Sequence, residues 1–308
     1  MTVSEGVLAV DVGGTSVRIA RFAVGADTPG PVVEWATPPD AGALVDEIIH
    51  AARALEAPFT AAGVGIAALV DHDTGTLVWS PHFSGALPLG RELGSALGVP
   101  VMVDNDANAA ALAEATKGAG RGHRMVLMVT VGTGIGGGLV IDGRVERGRG
   151  FLGEIGHLPL DDADTPCHCG LLGCWEAVAS GTALDRAAVA LLGGDTTGED
   201  LVAVAEMDEG ARDALTGVAR WFGVGLAALV NVFDPDVIVV GGGVAGIGQA
   251  FLGPAVEAMA ATVTGSAARS PTPVVPAHFG ASAGLVGAAL LAHRGQRSFR
   301  APPSGVRE

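Results

Sequence analysis

The sequence predicts a pseudo-duplicated α/β protein made of two halves with a cleft between them. The chain has 308 residues, 49% of them hydrophobic, enough for two domains with substantial cores. Apolar runs of strand length alternate with stretches of helical periodicity. One local plan, an apolar strand, a Gly/Thr turn and a second apolar strand, occurs at residues 7–24 and again at 127–145.

Residues 7–11 form a short apolar β run, and after Gly13-Gly14-Thr15 an alternating run covers 17–24, so the pair reads as a hairpin. A third strand is expected at 32–36. Over 41–55, Leu44, Val45, Ile48, Ile49, Ala52 and Leu55 recur at helical spacing. A buried strand is expected at 63–70, a short helix at 88–97, a strand at 99–103 and an Ala-rich helix at 106–116. The plan then restarts with a β run at 125–131, Gly132-Thr133-Gly134 and a run at 138–141. Helices follow around 183–192 and 212–231, then a strand at 236–240 before Gly241-Gly242-Gly243, and a last helix at 281–293. Pro302 and Pro303 mark a frayed tail. The boundary falls near 118–122, giving a small N-terminal α/β domain at 1–118 and a larger C-terminal α/β domain at 119–294. The last helix can pack back on the small domain, and 295–308 are left as a flexible tail.

Charge narrows the partners. The net charge is −15, from 18 basic and 33 acidic residues, with no basic stripe to offset it. Nucleic acid and anionic membrane surfaces are poor partners for such a chain. Mean hydropathy is +0.44, but no run reaches the ~18 apolar residues that a membrane span needs. The first residues carry no basic segment of the kind that opens a secretory signal, so a cytoplasmic location is expected.

The 48 glycines fall in clusters between apolar runs. Clustered glycine suits loops where backbone approaches a ligand closely. Asp11-Val12-Gly13-Gly14-Thr15, Gly132-Thr133-Gly134 and Gly241-Gly242-Gly243 each follow an expected strand. Their N–H groups could converge on phosphate oxygens, with Thr15 and Thr133 adding hydroxyls and Asp11 holding Mg²⁺ through water. An anionic substrate such as ATP would need such a pocket in so acidic a chain. The bland alternative is three tight hairpin turns. No P-loop is present, and the glycines after residue 131 lead into a strand-like run, which excludes a dinucleotide fingerprint.

All three cysteines lie between residues 167 and 174, as Cys167-x-Cys169-x4-Cys174 with Gly170 and Gly173 between them. That spacing suits a closed tetrahedral zinc site, with His157 as the fourth ligand and His168 as its rival. Asn105 and Asp106 follow the strand at 99–103, where a carboxylate could serve chemistry or simply cap a helix, and Asp104 could take the cap instead. Glu154, His157 and Glu176 bracket the cysteine loop and could bind several hydroxyl groups.

Together, Asp11-x-Gly13-Gly14-Thr15, Asp104-Asn105-Asp106-Ala107-Asn108, Gly132-Thr133-Gly134, Glu154-x-Gly156-His157 and Cys167-x-Cys169-Gly170-x-x-Gly173-Cys174-x-Glu176 resemble the ROK family (repressors, open reading frames, sugar kinases). The resemblance runs from residue 7 to about 291 and points to the ATP-dependent glucokinases within the family. It implies a duplicated ribonuclease-H-like, actin-like ATPase fold of two domains closing on their substrates. It implies ATP-dependent phosphorylation of a hexose, glucose to glucose 6-phosphate, with Asp106 as general base. Asn105, Glu154, His157, Glu176 and Gly65 would hold the sugar, and His157, Cys167, Cys169 and Cys174 would bind structural zinc. Family members are commonly dimers or tetramers.

The chain departs from the family at several places. Ala67-Ala68 replace a usual Pro-Gly, residues 81–86 lack the usual Asn and Trp, and Ser16 replaces a common Lys, whose phosphate role Arg18 could take. The first two changes lie toward the sugar and keep other acceptors open, among them amino or N-acetyl hexoses, mannose, fructose and cyclitols. Asp11 lies too near the start for the helix-turn-helix region of the family's repressors, and intact Asp106 argues against a non-catalytic sugar-binding regulator.

Overall fold

The computed structural model describes residues 6–55, 57–80, 82–160 and 165–300. The chain forms two compact units. Of the described residues, one holds those up to Lys117, the stretch Arg147–Phe151 and those from Ser282 to Arg300, and the other holds those within Gly118–Glu146 and Leu152–Ala281.

The first unit opens with strands β1 (Gly6–Val12), β2 (Ser16–Phe22) and β3 (Val33–Ala36), then helix α1 (Ala41–Ala54). Asp40 caps α1 by accepting from the Ala43 N–H at 2.9 Å, an arrangement that typically stabilises a helix by ~1 kcal/mol. The helix buries Leu44, Val45, Ile48 and Ala52 of the stripe its spacing predicts, while Ile49 and Leu55, the C-cap, are partly buried. Next come β4 (Phe59–Ile66), β5 (Leu69–Asp71), β6 (Thr76–Trp79), α2 (Leu89–Leu97), β7 (Val101–Asn105) and α3 (Asp106–Lys117).

The five-stranded sheet runs β3-β2-β1-β4-β7, antiparallel through β3, β2 and β1 and parallel from β1 to β7. Leu8, Val10, Ile19, Leu44, Ile48, Val64, Leu89 and Val103 meet in its core. The strand expected at 63–70 is corrected in two ways, since it starts earlier and ends at Ile66, and Leu69–Asp71 belongs to a separate hairpin. Asp71 accepts from the Asp73 N–H and the Thr74 hydroxyl, and Gly75 takes a left-handed φ of 65°, which closes that hairpin.

The second unit repeats the plan. β8 (Met125–Val131), β9 (Ile135–Ile141) and β10 (Arg144–Glu146) form an antiparallel meander. Helices α4 (Trp175–Ala179), α5 (Gly181–Leu192), α6 (Gly198–Val204) and α7 (Glu209–Phe233) follow, then β11 (Val237–Gly241), α8 (Gln249–Thr262) and β12 (Val274–Pro276). The strand order β10-β9-β8-β11-β12 matches the first sheet position by position. Trp175, Phe222 and Phe251 stack in its core with successive ring centroids 5.3 Å apart. Helix α7 is long and apolar enough to cross a bilayer, but Ala211, Leu215, Ala219, Phe222 and Leu226 on it are buried in this core, as in a core helix of a globular domain. Gly253-Pro254 reads as a helix breaker, yet both residues lie inside α8.

Helix α9 (Ala283–Arg300) belongs to the first unit and packs on β1, β4 and α3. It continues past His293, so the start of the expected tail is helical, whereas residues 301–308 lie outside the described residues. Glycine makes the packing possible. A Cβ on Gly63 of β4 would collide with the Ala288 carbonyl, and one on Gly287 would collide with the Ala109 carbonyl of α3. Gly63→Ala is therefore expected to destabilise the first unit by about 1–3 kcal/mol through overpacking. Urea unfolding reads that loss, and an unchanged midpoint would show that α9 can shift at no cost.

Candidate active site

The register of the first sheet collects its polar residues at one edge. Asp11 lies beside Gly65 in the β1–β4 pairing, and Gly65 lies beside Asp104 in the β4–β7 pairing. Neighbouring strands are about 4.8 Å apart, so the row from Asp11 to Asp104 spans roughly 10 Å. Ligands of open α/β sheets bind outside such carboxyl ends.

Asp11 is 7% exposed and sits directly across from Arg18 of β2, whose Nη2 donates to its Oδ2. Burial pushes the Asp11 carboxyl above its ordinary value, even though Arg18 pulls it down. Arg18, expected to serve phosphates, is thus already an ion-pair partner of the residue expected to hold Mg²⁺. The start of α9 also closes on this carboxylate, because a Cβ on Gly284 would lie 2.5 Å from it. The turn after β1 is tied by Gly13 N–H donating to the Ser16 carbonyl (2.9 Å) and by the Thr37 hydroxyl donating to the Gly13 carbonyl (2.7 Å). Gly14 and Thr15 are left exposed. The His82 imidazole rests on Gly14, where an added Cβ would meet Nε2 at 2.7 Å. Pro81, in the same departure from the family pattern, lies outside the described residues.

At the end of β7 the cap of α3 is Asn105, rather than either of the carboxylates Asp104 and Asp106 between which the sequence left it open. Asn105 Oδ1 accepts from the N–H groups of Ala107 (2.9 Å) and Asn108 (3.1 Å), and its Nδ2 donates to the Ala68 carbonyl at 3.3 Å. One amide hydrogen of Asn105 remains for a ligand. Asp106 is the first residue of α3, half-buried, with Oδ1 accepting from the Ala107 N–H at 2.9 Å. Gly65 lies against the start of α3, where a Cβ would press on the Ala109 Cβ at 3.1 Å and touch the Asp106 Cα at 3.5 Å.

Asp104 itself is 2% exposed. Its Oδ1 accepts from the Asn105 N–H (2.9 Å) and Asn108 Nδ2 (3.1 Å), and its Oδ2 accepts from Arg147 Nε at 3.0 Å and from Arg147 Nη2. Sequence reasoning missed Arg147. Its one signal, a basic residue before a glycine, is too common to weigh.

In the second unit, Gly241 lies beside Thr130 in the β8–β11 pairing, so the turns after β8 and β11 share one sheet edge. The Gly132 N–H donates to the Gly134 carbonyl at 2.9 Å, and the start of α5 pins the turn through Gly181 N–H to the Gly132 carbonyl (2.7 Å) and the Thr182 hydroxyl to the Thr133 carbonyl (2.8 Å). Gly242 has φ 92°, and a Cβ there would run into the Val131 carbonyl, whereas Gly243 and Gly132 face open space.

The ligand atoms of His157, Cys167, Cys169 and Cys174 all lie within 4.8 Å of one another. Cys167 Sγ is 3.7 Å from His157 Nδ1, and Cys169 Sγ is 3.7 Å from Cys174 Sγ. A tetrahedral ion with ~2.3 Å bonds to sulfur requires sulfur separations of about 3.8 Å, so the group fits zinc. His168 is exposed and stands outside the cluster. Burial pushes the Cys167 and Cys174 thiols up, so their thiolate forms need a cation beside them.

His157 turns Nδ1 to the cysteines and Nε2 toward Glu154, 3.7 Å from its Oε2. Burial also pushes the Glu154 carboxyl up, against the pull of His157. Glu176 bridges two features, its Oε1 accepting from the Cys167 thiol at 3.1 Å and its Oε2 from the Ile135 N–H, next to the Gly132–Gly134 turn, at 3.1 Å.

Two sheets of the same strand order, each with glycine turns at the carboxyl ends of its parallel strands, define the duplicated ribonuclease-H-like fold of the actin-like ATPase class. Compared with known proteins, the chain matches the ROK family over residues 7–295 and belongs to that family. A glucokinase of Streptomyces coelicolor is 36% identical over 310 residues, covering 92% of this chain and 96% of that protein. A ROK family glucokinase from Streptomyces griseus, solved in complex with glucose and AMPPNP, superposes with a TM-score of 0.85 at 36% identity, over 94% of this chain and 99% of that one. A ROK hexokinase from Thermus thermophilus gives a TM-score of 0.83 at 37% identity, over 95% and 99%.

The Asp11 carboxyl yields a stability prediction with a definite sign. Its folded pKa is raised, so this group favours the folded state fully below its unfolded value near 3.9, and that contribution is lost as pH rises through the folded value. At neutral pH the buried charge is a cost. Asp11→Asn is expected to melt at or above the parent at pH 7.5, with the advantage shrinking toward pH 4. Thermal melts across that range read it, and a variant that melts lower at pH 7.5 would show that the Arg18 ion pair outweighs burial.

Proposed function

We propose that this chain transfers the γ-phosphoryl group of ATP to a hexose, glucose first, making glucose 6-phosphate and ADP. The observation that carries the reading is the strand register that sets the Asp11 turn, Gly65 and Asp106 along one sheet edge of the first unit. The glucokinase relatives, similar over nearly their whole length, support it from outside.

Phosphoryl transfer needs an oriented nucleophile and charge neutralisation on the phosphates. Asp106 accepts the proton of the attacking hydroxyl as its oxygen bonds to the γ-phosphorus, and the bond to the β-phosphate breaks to release ADP. The free amide hydrogen of Asn105, the Gly65 backbone, Glu154, the Nε2 side of His157 and Glu176 are the groups that hold sugar hydroxyls. The N–H groups of Gly13–Thr15 and Gly132–Gly134 steady phosphates, and Gly241–Gly243, with open space at Gly243, lets the adenosine lie against backbone. Asp11, shared with Arg18, would hold Mg²⁺, a cation that would neutralise phosphate charge. His157, Cys167, Cys169 and Cys174 would hold a structural zinc ion, which would tie the Cys167–Cys174 loop to His157.

A second reading keeps the chemistry and changes the acceptor. It is favoured by His82 resting on Gly14 and by Ala67-Ala68, all departures from the family pattern.

Coupled ADP release with Mg-ATP against glucose, mannose, fructose, glucosamine, N-acetylated hexosamines and cyclitols tests the function. Turnover on glucose is expected, with Asp106→Asn losing about 10²–10⁴ in kcat while still binding sugar. Full activity in that variant removes Asp106 from the role, and turnover on another acceptor alone moves the substrate. Protein purified without chelators is expected to carry about one zinc ion per chain, and stripping it should lower the melting temperature. An active, stable preparation without metal would falsify the zinc assignment.

A further inference from the structure

The Asp104 carboxylate is buried beside the proposed base, and the cation that answers it comes from a distant part of the chain. Between Gly118 and Ala281, only Arg147–Phe151 belongs to the first unit. The stretch leaves β10 after Glu146 and turns back sharply, with Gly150 N–H donating to the Arg147 carbonyl at 2.8 Å and with Gly148 and Gly150 at φ 56° and 99°. The turn delivers the guanidinium to Asp104, where Nε (3.0 Å) and Nη2 both donate to Oδ2.

The two oxygens of Asp104 therefore have separate tasks. Oδ2 is held by Arg147, while Oδ1 accepts from the Asn105 N–H and from Asn108 Nδ2, the residues that bracket Asp106. An anion this deeply buried persists when a partner compensates it. A guanidinium also fixes orientation, because its planar fork donates through two nitrogens at once, whereas a lysine ammonium is a point charge on a flexible stem.

We propose that Arg147 is a positioning residue for phosphoryl transfer, acting on Asp106 through Asp104. The proposal rests on the reading of Asp106 as general base. In this role Arg147 acts through the carboxylate that it holds. It sets the rotation of the Asp104 carboxylate, which holds the Asn105 backbone before Asp106 and the Asn108 side chain after it. A displacement on the order of 1 Å at a reacting group can cost about 10²-fold in rate.

Steady-state kinetics with glucose and Mg-ATP, equilibrium glucose binding and thermal melting on the full chain test it, using Arg147→Lys, the double variant Arg147→Met with Asp104→Asn, and Asp106→Asn. Arg147→Lys is expected to bind glucose within about threefold of the parent and to lose about tenfold or more in kcat. The double variant removes the uncompensated buried charge, so it should melt near the parent yet stay slow. Parental kcat in either folded variant, with Asp106→Asn inactive, overturns the positioning role and leaves the base assignment standing. A raised KM for glucose at unchanged kcat also overturns it. Full activity in Asp106→Asn overturns the base assignment itself. If the double variant does not fold, the kcat of Arg147→Lys decides.

Discussion

The parallel register of β1, β4 and β7 is the constraint on which the site of the first unit depends. Side chains along a strand alternate between faces with a period of two, so a slip of one residue would exchange Asp11 with Val10 or Val12 and put a carboxylate into the apolar core. Burial of Leu8, Val10, Val64 and Val103 holds the register against such a slip. Two buried carboxylates at the sheet edge, Asp11 and Asp104, are the result, and each is answered by an arginine. Arg18 comes from the neighbouring strand of a hairpin, while Arg147 comes from a segment far along the chain.

Glycine plays two separate parts here. At Gly132 and Gly243 the space where a side chain would stand is open, as a backbone-lined binding surface requires. At Gly63, Gly284 and Gly287 the same absence lets α9 settle on the sheet, on the Asp11 carboxylate and on α3. Sequence alone shows both kinds as clusters and cannot separate them. The second unit adds a coupling of its own, because Glu176 hydrogen-bonds both Cys167 and the strand that leaves the Gly132–Gly134 turn. Order in the cysteine loop and order in that turn therefore share one carboxylate.

Much of this was legible in the chain itself. The duplicated strand–turn–strand plan and the α1 stripe are local patterns, and the structure carries both. The cysteine cluster was legible because its three thiols lie close in sequence, and His157 over His168 became decidable once the loop had a shape. Helix α8 was not legible, because Gly253-Pro254 reads as a breaker when local propensity is the guide, and packing of α8 against α7 overrides it. The cap of α3 was left open between Asp104 and Asp106, because adjacent polar residues offer equivalent caps on paper. In the structure Asn105 is the cap, and Asp104 is engaged with Arg147.

What the sequence determined by itself is what short-range pattern encodes: two α/β halves of one plan, three glycine turns at strand ends, a cluster of three cysteines, and carboxylates placed where chemistry could use them. Tertiary structure decided which of those polar groups are engaged and with whom: Arg18 with Asp11, Asn105 with the start of α3, Asp104 with Arg147. The physical reason is range. Periodicity and turn chemistry act over a few residues, whereas a buried charge is satisfied by whichever partner the fold carries to it, and no spacing in the chain announces that partner.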